Sequence, residues 1–183
     1  AAAAEIARSC VAGKVQNSRQ VLLRGAREAR EPDDARPLAE AAATLGRLLG
    51  EIARAPTVDV LRGHEGDAAR VYFGVFDRMV RAADRPQFAF SGRTRRPPTD
   101  RMNALLSFLY TLLTADCVAA VEGVGLDPQV GYLHALRSGR PALALDLMEE
   151  LRPVLADRLA LALINRRQLK AEDFSERPGG SVL

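Results

Sequence analysis

Three acidic side chains lie close together in the last quarter of the sequence: Asp146, Glu149 and Glu150. Separations of three and four residues place acids on a common helix face, so two of these carboxylates could share a cation. A solvated acidic stripe on an amphipathic helix has the same pattern. For a carboxylate cluster taken alone, that stripe is the preferred interpretation.

His134 is one of only two histidines, and its flanking residues 131–133 are mostly apolar. A histidine in such a setting is commonly a hydrogen-bonded core residue. The helix-breaking residues 139–141 make a role as a metal ligand more plausible, because a turn there can fold His134 back beside the acidic helix. The resulting nitrogen and oxygen ligands would suit Mn²⁺ and tolerate Mg²⁺.

Glu65 lies among small residues, between Gly63 and Asp67, in what we interpret as the entry to a helix. It could complement the helix N-terminus, or Gly66 could leave room for a ligand or phosphate beside the carboxylate. The sequence contains no serine nucleophile elbow, phosphate-binding loop, paired zinc cysteines or dinucleotide fingerprint. Metal-assisted chemistry is therefore the leading enzyme class by elimination.

Four arginines fall within nine positions: Arg93, Arg95, Arg96 and Arg101. Such a run is usually solvated, but prolines restrict this loop and guanidinium groups offer bidentate contacts to phosphates. Lys14 begins a second, weaker polar patch. The net charge of +3, from 26 basic and 23 acidic residues, permits nucleic-acid binding without requiring it.

These residues must be positioned by helices, because a composition with 5% aromatics and no Trp suits an all-α fold of one domain. Apolar spacing predicts helices over residues 5–30 (as one or two), 38–54, 58–79, 101–124, 129–135 and 142–165. The helices are connected by an acidic linker between Pro32 and Pro37 and by a long loop over 84–100, and an exit loop follows after Phe174. The helix over 101–124 is apolar nearly all round, which predicts a central position.

Cys10 and Cys117 lie in apolar helical patterns, which favours free buried thiols and a reducing cytoplasm. No apolar run approaches the roughly 20 residues that span a bilayer, and no signal peptide is evident. We therefore expect a soluble, cytoplasmic protein without a membrane partner. The sequence opens on four alanines without an initiator Met, so we expect it to be cut from a longer chain.

Four stretches, over residues 14–20, 65–73, 95–107 and 125–153, together resemble the CRISPR-associated integrase family. The resemblance is closest to the branch found with type I-C systems, and it covers the chain from about residue 5 to the end. It implies that residues 1–183 form a helical nuclease domain. An N-terminal β-domain would precede that domain, and further residues would follow Leu183.

The resemblance also implies a site. The family's ligands for Mg²⁺ or Mn²⁺ transfer to three residues: Glu65, His134 and Glu149. Asp146 matches a second acidic position that supports catalysis, either by orienting a ligand or by holding a second ion. Four basic residues would position the DNA backbone: Lys14, Arg93, Arg95 and Arg96.

The implied activity is metal-dependent DNA endonuclease and integrase chemistry, in which strand transfer inserts spacers into CRISPR arrays. The substrates would be double-stranded and branched DNA. The full-length protein would be a homodimer, with a small CRISPR-associated protein bridging two dimers. The alternative is a non-catalytic helical DNA-binding module, in which the acids are surface residues, His134 is core and metal has no effect. A four-helix carboxylate metalloprotein is disfavoured, because no acid lies three residues before His134.

Overall fold

The computed structural model describes residues 2–81, 83–94, 96–177 and 181–182. Within these residues the fold is all-α, as the sequence predicts, with one isolated β-bridge between Glu176 and Val182. Its six α-helices are α1 (Ala2–Glu28), α2 (Pro32–Arg54), α3 (Val58–Phe73), α4 (Arg101–Gly123), α5 (Ala142–Arg152) and α6 (Arg158–Asn165). Short 3₁₀ turns follow α3 at Phe76–Met79 and α6 at Ala171–Asp173.

Helix α1 is the central element, since it packs against α2, α3 and α5. Its buried residues recur at helical spacing, with Ala7, Val11 and Val15 fully enclosed. The prediction that α4 is central is wrong. Phe108 is 61% exposed and Leu112 is 48% exposed, because α4 packs mainly against α5 and leaves its other side uncovered.

Helix α4 is also long and apolar enough to cross a membrane, with a mean hydropathy of 1.8, so the prediction that no stretch approaches this length is wrong. The polar residues that interrupt its sequence, such as Ser107 and Thr114, are mostly uncharged and lower the hydropathy little. This property is weak evidence for a membrane, because core helices of soluble proteins share it.

Two helix boundaries differ from those predicted. Helix α2 begins at Pro32, so the expected linker up to Pro37 is helical. Proline fits the first turn because its missing N–H is not needed there, and the acids that follow favour the positive end of the helix dipole. The predicted helix over 58–79 is divided, with α3 ending at Phe73 before the 3₁₀ turn.

The segment over residues 84–100 is a loop, as predicted, and the described part of it is anchored to the helices. Arg85 donates to the buried Asp34 of α2 at 2.7 Å, while Phe88 and Phe90 enter the core. At its end, Oδ1 of Asp100 accepts a hydrogen bond from the backbone N–H of Asn103 at 2.7 Å. This contact caps the N-terminus of α4.

The predicted helix over residues 142–165 is present, but a wider π-helical turn at Pro153–Asp157 separates α5 from α6. Proline cannot donate the hydrogen bond to the carbonyl four residues earlier, which favours such a widening. That carbonyl belongs to Glu149. The irregular turn therefore follows directly after the predicted acidic cluster.

Candidate metal centre

Three helices and one loop converge on the predicted acidic cluster. Glu149 lies on α5, Glu65 on α3, Lys14 on α1, and His134 in the loop that precedes α5. The ammonium of Lys14 forms an ion pair with Oε1 of Glu65 and lies 2.6 Å from Oε2 of Glu149. Nε2 of His134 lies 3.7 Å from Oε1 of Glu149. The structure thus brings the three predicted ligands to one place, with Lys14 between the two glutamates.

The position of Lys14 follows from close packing of α1 on α5. A Cβ built on Gly13 would lie 3.0 Å from the side chain of Glu150, so that side chain would have to shift to admit a larger residue. The side-chain amide of Asn17 donates to the backbone carbonyl of Glu150 at 2.8 Å. These contacts fix the register of the two helices and direct Lys14 towards Glu149.

Asp146 organises the loop that carries His134. Its Oδ2 accepts the backbone N–H groups of Tyr132 at 2.5 Å and Leu133 at 2.9 Å. Its Oδ1 accepts the N–H of His134 at 2.9 Å and lies 2.7 Å from His134 Nδ1. The predicted short helix over 129–135 is wrong, because these N–H groups bind one carboxylate instead of helical carbonyls.

Gly131 allows this loop to lie against the start of α5. A Cβ at this position would be 2.7 Å from the carbonyl carbon and from the Cβ of Ala142. Only glycine fits without movement of the backbone. The turn predicted at residues 139–141 is present, and Gly139 adopts a positive φ of 71° within it.

The contacts of Asp146 determine the state of the His134 ring. Burial alone raises the pKa of Asp146, but the hydrogen bonds from His134 and from backbone N–H groups outweigh it and lower the pKa. An ionised carboxylate can only accept, so Nδ1 of His134 carries the proton. Nε2 is the ring nitrogen that faces Glu149, an orientation typical of carboxylate–histidine–metal arrangements. Asp146 therefore orients His134, one of the predicted ligands; both of its oxygens are engaged, which disfavours a second ion at this residue.

Glu149 is 2% exposed and carries the main negative charge of the site. Burial alone raises its pKa, but the charges of Lys14 and Arg152 outweigh this effect and lower the pKa. The guanidinium of Arg152 lies 3.0 Å from Oε1. Oε2 is buried without a hydrogen-bond partner of suitable geometry, although it is ion-paired with Lys14. Glu149 thus presents an ionised oxygen towards the position of a cation.

Glu65 lies in the middle of α3, so the interpretation that it complements a helix N-terminus is wrong. The helix begins seven residues earlier, where Oγ1 of Thr57 accepts the N–H of Val60. The surface beside Glu65 is open, because a Cβ on Gly66 would have no atom within 4 Å. His64 points elsewhere, with Nδ1 3.6 Å from Glu51.

The donor set fits a divalent metal ion in its chemistry, since two carboxylates and an imidazole suit Mn²⁺ and Mg²⁺. The Lys14 ammonium is a stand-in for such an ion, because it is the cation that bridges Glu65 and Glu149. In this arrangement the described residues hold no group of three ligating side chains already spaced for a metal. A metal bound by both glutamates would have to displace Lys14.

The basic residues predicted to contact DNA differ in their surroundings. Lys14 is 8% exposed, which weighs against direct phosphate contact in this arrangement. Arg93 is half-buried and donates to Asn103 at 2.7 Å and to Ser107 at 3.0 Å. Arg96 is exposed, and Arg95 lies outside the described residues. The DNA-binding roles of these four residues stay predictions.

The sequence interpretation missed three residues beside the site: Tyr110, Arg152 and Asp157. The Tyr110 hydroxyl donates to Oδ1 of Asp157 at 2.6 Å, and the Arg152 guanidinium lies 5.1 Å from the Tyr110 ring centre. Burial raises the pKa of Asp157 to about 6, against the opposing effect of the Tyr110 hydrogen bond. Arg152 could have been found from its i+3 spacing to Glu149, whereas nothing in the sequence pairs Tyr110 with Asp157.

Known proteins resemble this chain in sequence and in overall fold. The family model described as CRISPR associated protein Cas1 matches residues 1–183. The chain belongs to the Cas1 family. A CRISPR-associated endonuclease Cas1 of Moorella thermoacetica is 62% identical over 177 residues, which cover 97% of this chain and 51% of that relative.

Two solved structures extend the likeness. A Cas6-RT-Cas1–Cas2 complex matches with a TM-score of 0.84 and 32% identity, covering 98% of this chain and 19% of that one. A casposase bound to integration product matches with a TM-score of 0.80 and 26% identity, covering 99% and 48%. The chain spans about half the length of the Moorella relative, so it corresponds to one part of a Cas1 protein of that size.

Proposed function

We propose that this chain is the metal-dependent catalytic domain of a DNA endonuclease and integrase that inserts spacers into CRISPR arrays. The observation that carries the proposal is the convergence of Glu65, His134 and Glu149: the Lys14 ammonium bridges the two glutamates, and His134 Nε2 lies 3.7 Å from Oε1 of Glu149. Relatives named CRISPR-associated endonuclease support nuclease activity, and the casposase bound to integration product supports strand transfer.

In the proposed reaction, each residue of the site has a separate task. A bound Mg²⁺ or Mn²⁺ would polarise the scissile phosphodiester and neutralise charge that develops on its oxygens. Glu65 and Glu149 supply the anionic oxygens that hold the ion, and His134 supplies Nε2. Asp146 keeps the His134 ring in the required tautomer and orientation. Lys14 and Arg152 together keep Glu149 ionised although it is buried.

The attacking group in this proposal is the 3′ hydroxyl of a new spacer, which gives strand transfer, or water, which gives a nick. The substrates are double-stranded and branched DNA. Arg93, Arg95 and Arg96 would hold the DNA backbone through contacts that carry no sequence information and weaken with salt. Such contacts suit an enzyme that accepts spacers of varied sequence.

The assembly is proposed by analogy with the matched proteins. The Cas1–Cas2 complexes among them support a partner protein. We propose that this partner is small and bridges two Cas1 dimers. We also propose a homodimer built by the full-length protein, a type I-C-like system and a cytoplasmic location. The β-domain expected upstream belongs to this proposal as well.

The test is strand cleavage and joining on branched and duplex DNA with Mn²⁺, Mg²⁺ or EDTA. This chain and a full-length version would be compared with His134→Ala and Glu149→Gln. Glu122→Gln is a matched control, since Glu122 is an exposed acid on α4. We expect activity that requires metal and is lost in the two site variants but retained in the control, while DNA binding persists. A full-length protein that is active but indifferent to both site substitutions would refute the site and favour a surface acidic stripe.

A further inference from the structure

Lys14 is the one site residue whose position and expected role disagree. A lysine that contacts DNA phosphates should reach the surface, yet Lys14 is buried and its ammonium bridges Glu65 and Glu149. A divalent ion held by the same carboxylates would lie close to this ammonium. Two cations cannot share that position, because their repulsion rises steeply at short distance in a buried site.

Space for the displaced ammonium exists beside it. A cavity of about 30 Å³ lies next to Lys14, and its lining includes Ser18, Tyr110 and Asp157. This volume accommodates one water-sized group, which is the size of an ammonium. Ser18 follows Lys14 by one helical turn on α1, and Asp157 offers a carboxylate that is 1% exposed. Asp157 is the carboxylate in this lining that can receive the Lys14 ammonium, and the guanidinium groups of Arg93 and Arg152 line the same cavity.

We propose that Lys14 is a displaceable internal counter-ion, which holds Glu65 and Glu149 together without metal and moves towards Asp157 when a divalent ion binds. The proposal rests on the proposed function in one respect, that Glu65 and Glu149 bind the metal. Without metal, Lys14 offsets part of the charge of the two glutamates. With metal, the divalent ion neutralises both glutamates and Lys14 pairs with Asp157.

The arrangement has two consequences for the site. In the metal-free state it prevents repulsion between two buried or half-buried carboxylates on different helices, α3 and α5, from separating them. It also makes metal binding weaker than the ligand set alone would allow, because the ion must first displace an ion pair. A charge-assisted contact of this kind contributes enough to change the affinity by roughly 10- to 100-fold.

The first test observes Lys14 directly by NMR of ¹³C,¹⁵N-labelled lysine. The chain has only two lysines, and Lys170 is a built-in control because its side chain is 64% exposed and distant in sequence from the site. On titration with Mg²⁺ alone, the Lys14 Nζ and Cε signals should shift while those of Lys170 stay constant. Calorimetry on the same samples would measure Mg²⁺ binding independently.

The second test measures Mg²⁺ affinity in variants. Lys14→Met should bind Mg²⁺ roughly 10- to 100-fold more tightly, whereas Arg152→Met, which removes a charge that contacts only one of the two glutamates, should have a smaller effect. Asp157→Asn should weaken Mg²⁺ binding in the wild-type background and have no effect in the Lys14→Met background. That coupling is specific to movement of Lys14 towards Asp157.

The outcomes separate this proposal from the function on which it rests. Mg²⁺ binding with an unchanged Lys14 signal would overturn the displacement and leave the metal site intact. If Lys14→Met and Arg152→Met increased the Mg²⁺ affinity equally, the effect would be one of net charge, and the displacement would also be overturned. Additive effects of Lys14→Met and Asp157→Asn on the Mg²⁺ affinity would overturn it as well. Absence of Mg²⁺ binding in the wild type and in Lys14→Met would overturn the metal centre itself.

Discussion

Replacement of Asp146 by asparagine should destabilise the protein strongly, although the change alters only one heavy atom. Asp146 uses both oxygens to accept three backbone N–H groups, and it binds the ring of His134. Asparagine keeps one acceptor and turns an amide NH₂ towards the remaining donors. A hydrogen bond to a charged group contributes about 1.5–3 kcal/mol. Because the loop can relax, we expect the loss of two such bonds to cost about 3 kcal/mol.

The assay is guanidinium unfolding followed by far-UV circular dichroism, with a thermal scan of the same proteins. For a chain of this size, 3 kcal/mol corresponds to a Tm lower by roughly 6–12 °C. Asp127→Asn is the matched control, since Asp127 is exposed and accepts one backbone N–H, from Gln129 at 2.8 Å. We expect that substitution to cost less than about 1 kcal/mol.

The effect of Asp146→Asn should also depend on pH in one direction. The pKa of Asp146 in the folded protein lies below its usual value of 3.8. Its ionised form therefore stabilises the folded protein in full at pH values above 3.8. The difference between wild type and Asp146→Asn should therefore be full at neutral pH and shrink as the pH falls through the folded pKa. A cost equal to that of Asp127→Asn, or a difference that grows on acidification, would refute the role given to Asp146.

Three further predictions concern the surroundings of the site. Gly131→Ala should destabilise the protein by about 1–3 kcal/mol in chemical unfolding, because the added Cβ would overlap Ala142. Gly66→Ala, in open space on a helix, should stabilise it by about 0.5–1 kcal/mol. Equal effects of the two substitutions would contradict the close approach of Gly131 to Ala142. Since burial raises the pKa of Asp157 to about 6, ionising it costs the folded state roughly 3 kcal/mol. Wild-type stability relative to Asp157→Asn should fall by most of that amount as the pH rises from about 3 to about 7, and a constant difference would contradict the assignment. Burial also raises the pKa of Cys10 to about 11, so at pH 8 it should react with iodoacetamide roughly 100-fold more slowly than a free thiol; a rate near that of a free thiol would exclude the raised pKa.

Much of the fold follows from local sequence rules. The cap at Asp100 and the periodicity of α4 give its boundaries to within a residue, because both signals come from neighbouring positions. The central position of α1 could not be predicted in the same way. Burial depends on which helices pack together, and an apolar helix such as α4 can leave Phe108 exposed where no other helix covers it.

The same difference between local signals and long-range contacts applies to the candidate site. Family resemblance supplied Glu65, His134 and Glu149, and the structure places them together. The loop around His134 was predicted as a helix, because residue patterns do not show that a carboxylate twelve residues later accepts its N–H groups. Lys14 was predicted on a DNA-binding surface for a similar reason. Its contacts with Glu65 and Glu149 cross 51 and 135 positions of sequence, where spacing carries no information.

Mn²⁺ binding measured by electron paramagnetic resonance tests the metal centre most directly, because it requires neither DNA nor partner proteins. The wild-type chain would be titrated beside Glu149→Gln, His134→Ala and the exposed-acid control Glu122→Gln. We predict one Mn²⁺ per chain in the wild type and the control, with affinity lower by at least roughly 10-fold in both site variants. Equal Mn²⁺ binding by all four proteins would show that these residues do not hold the ion and would contradict the account.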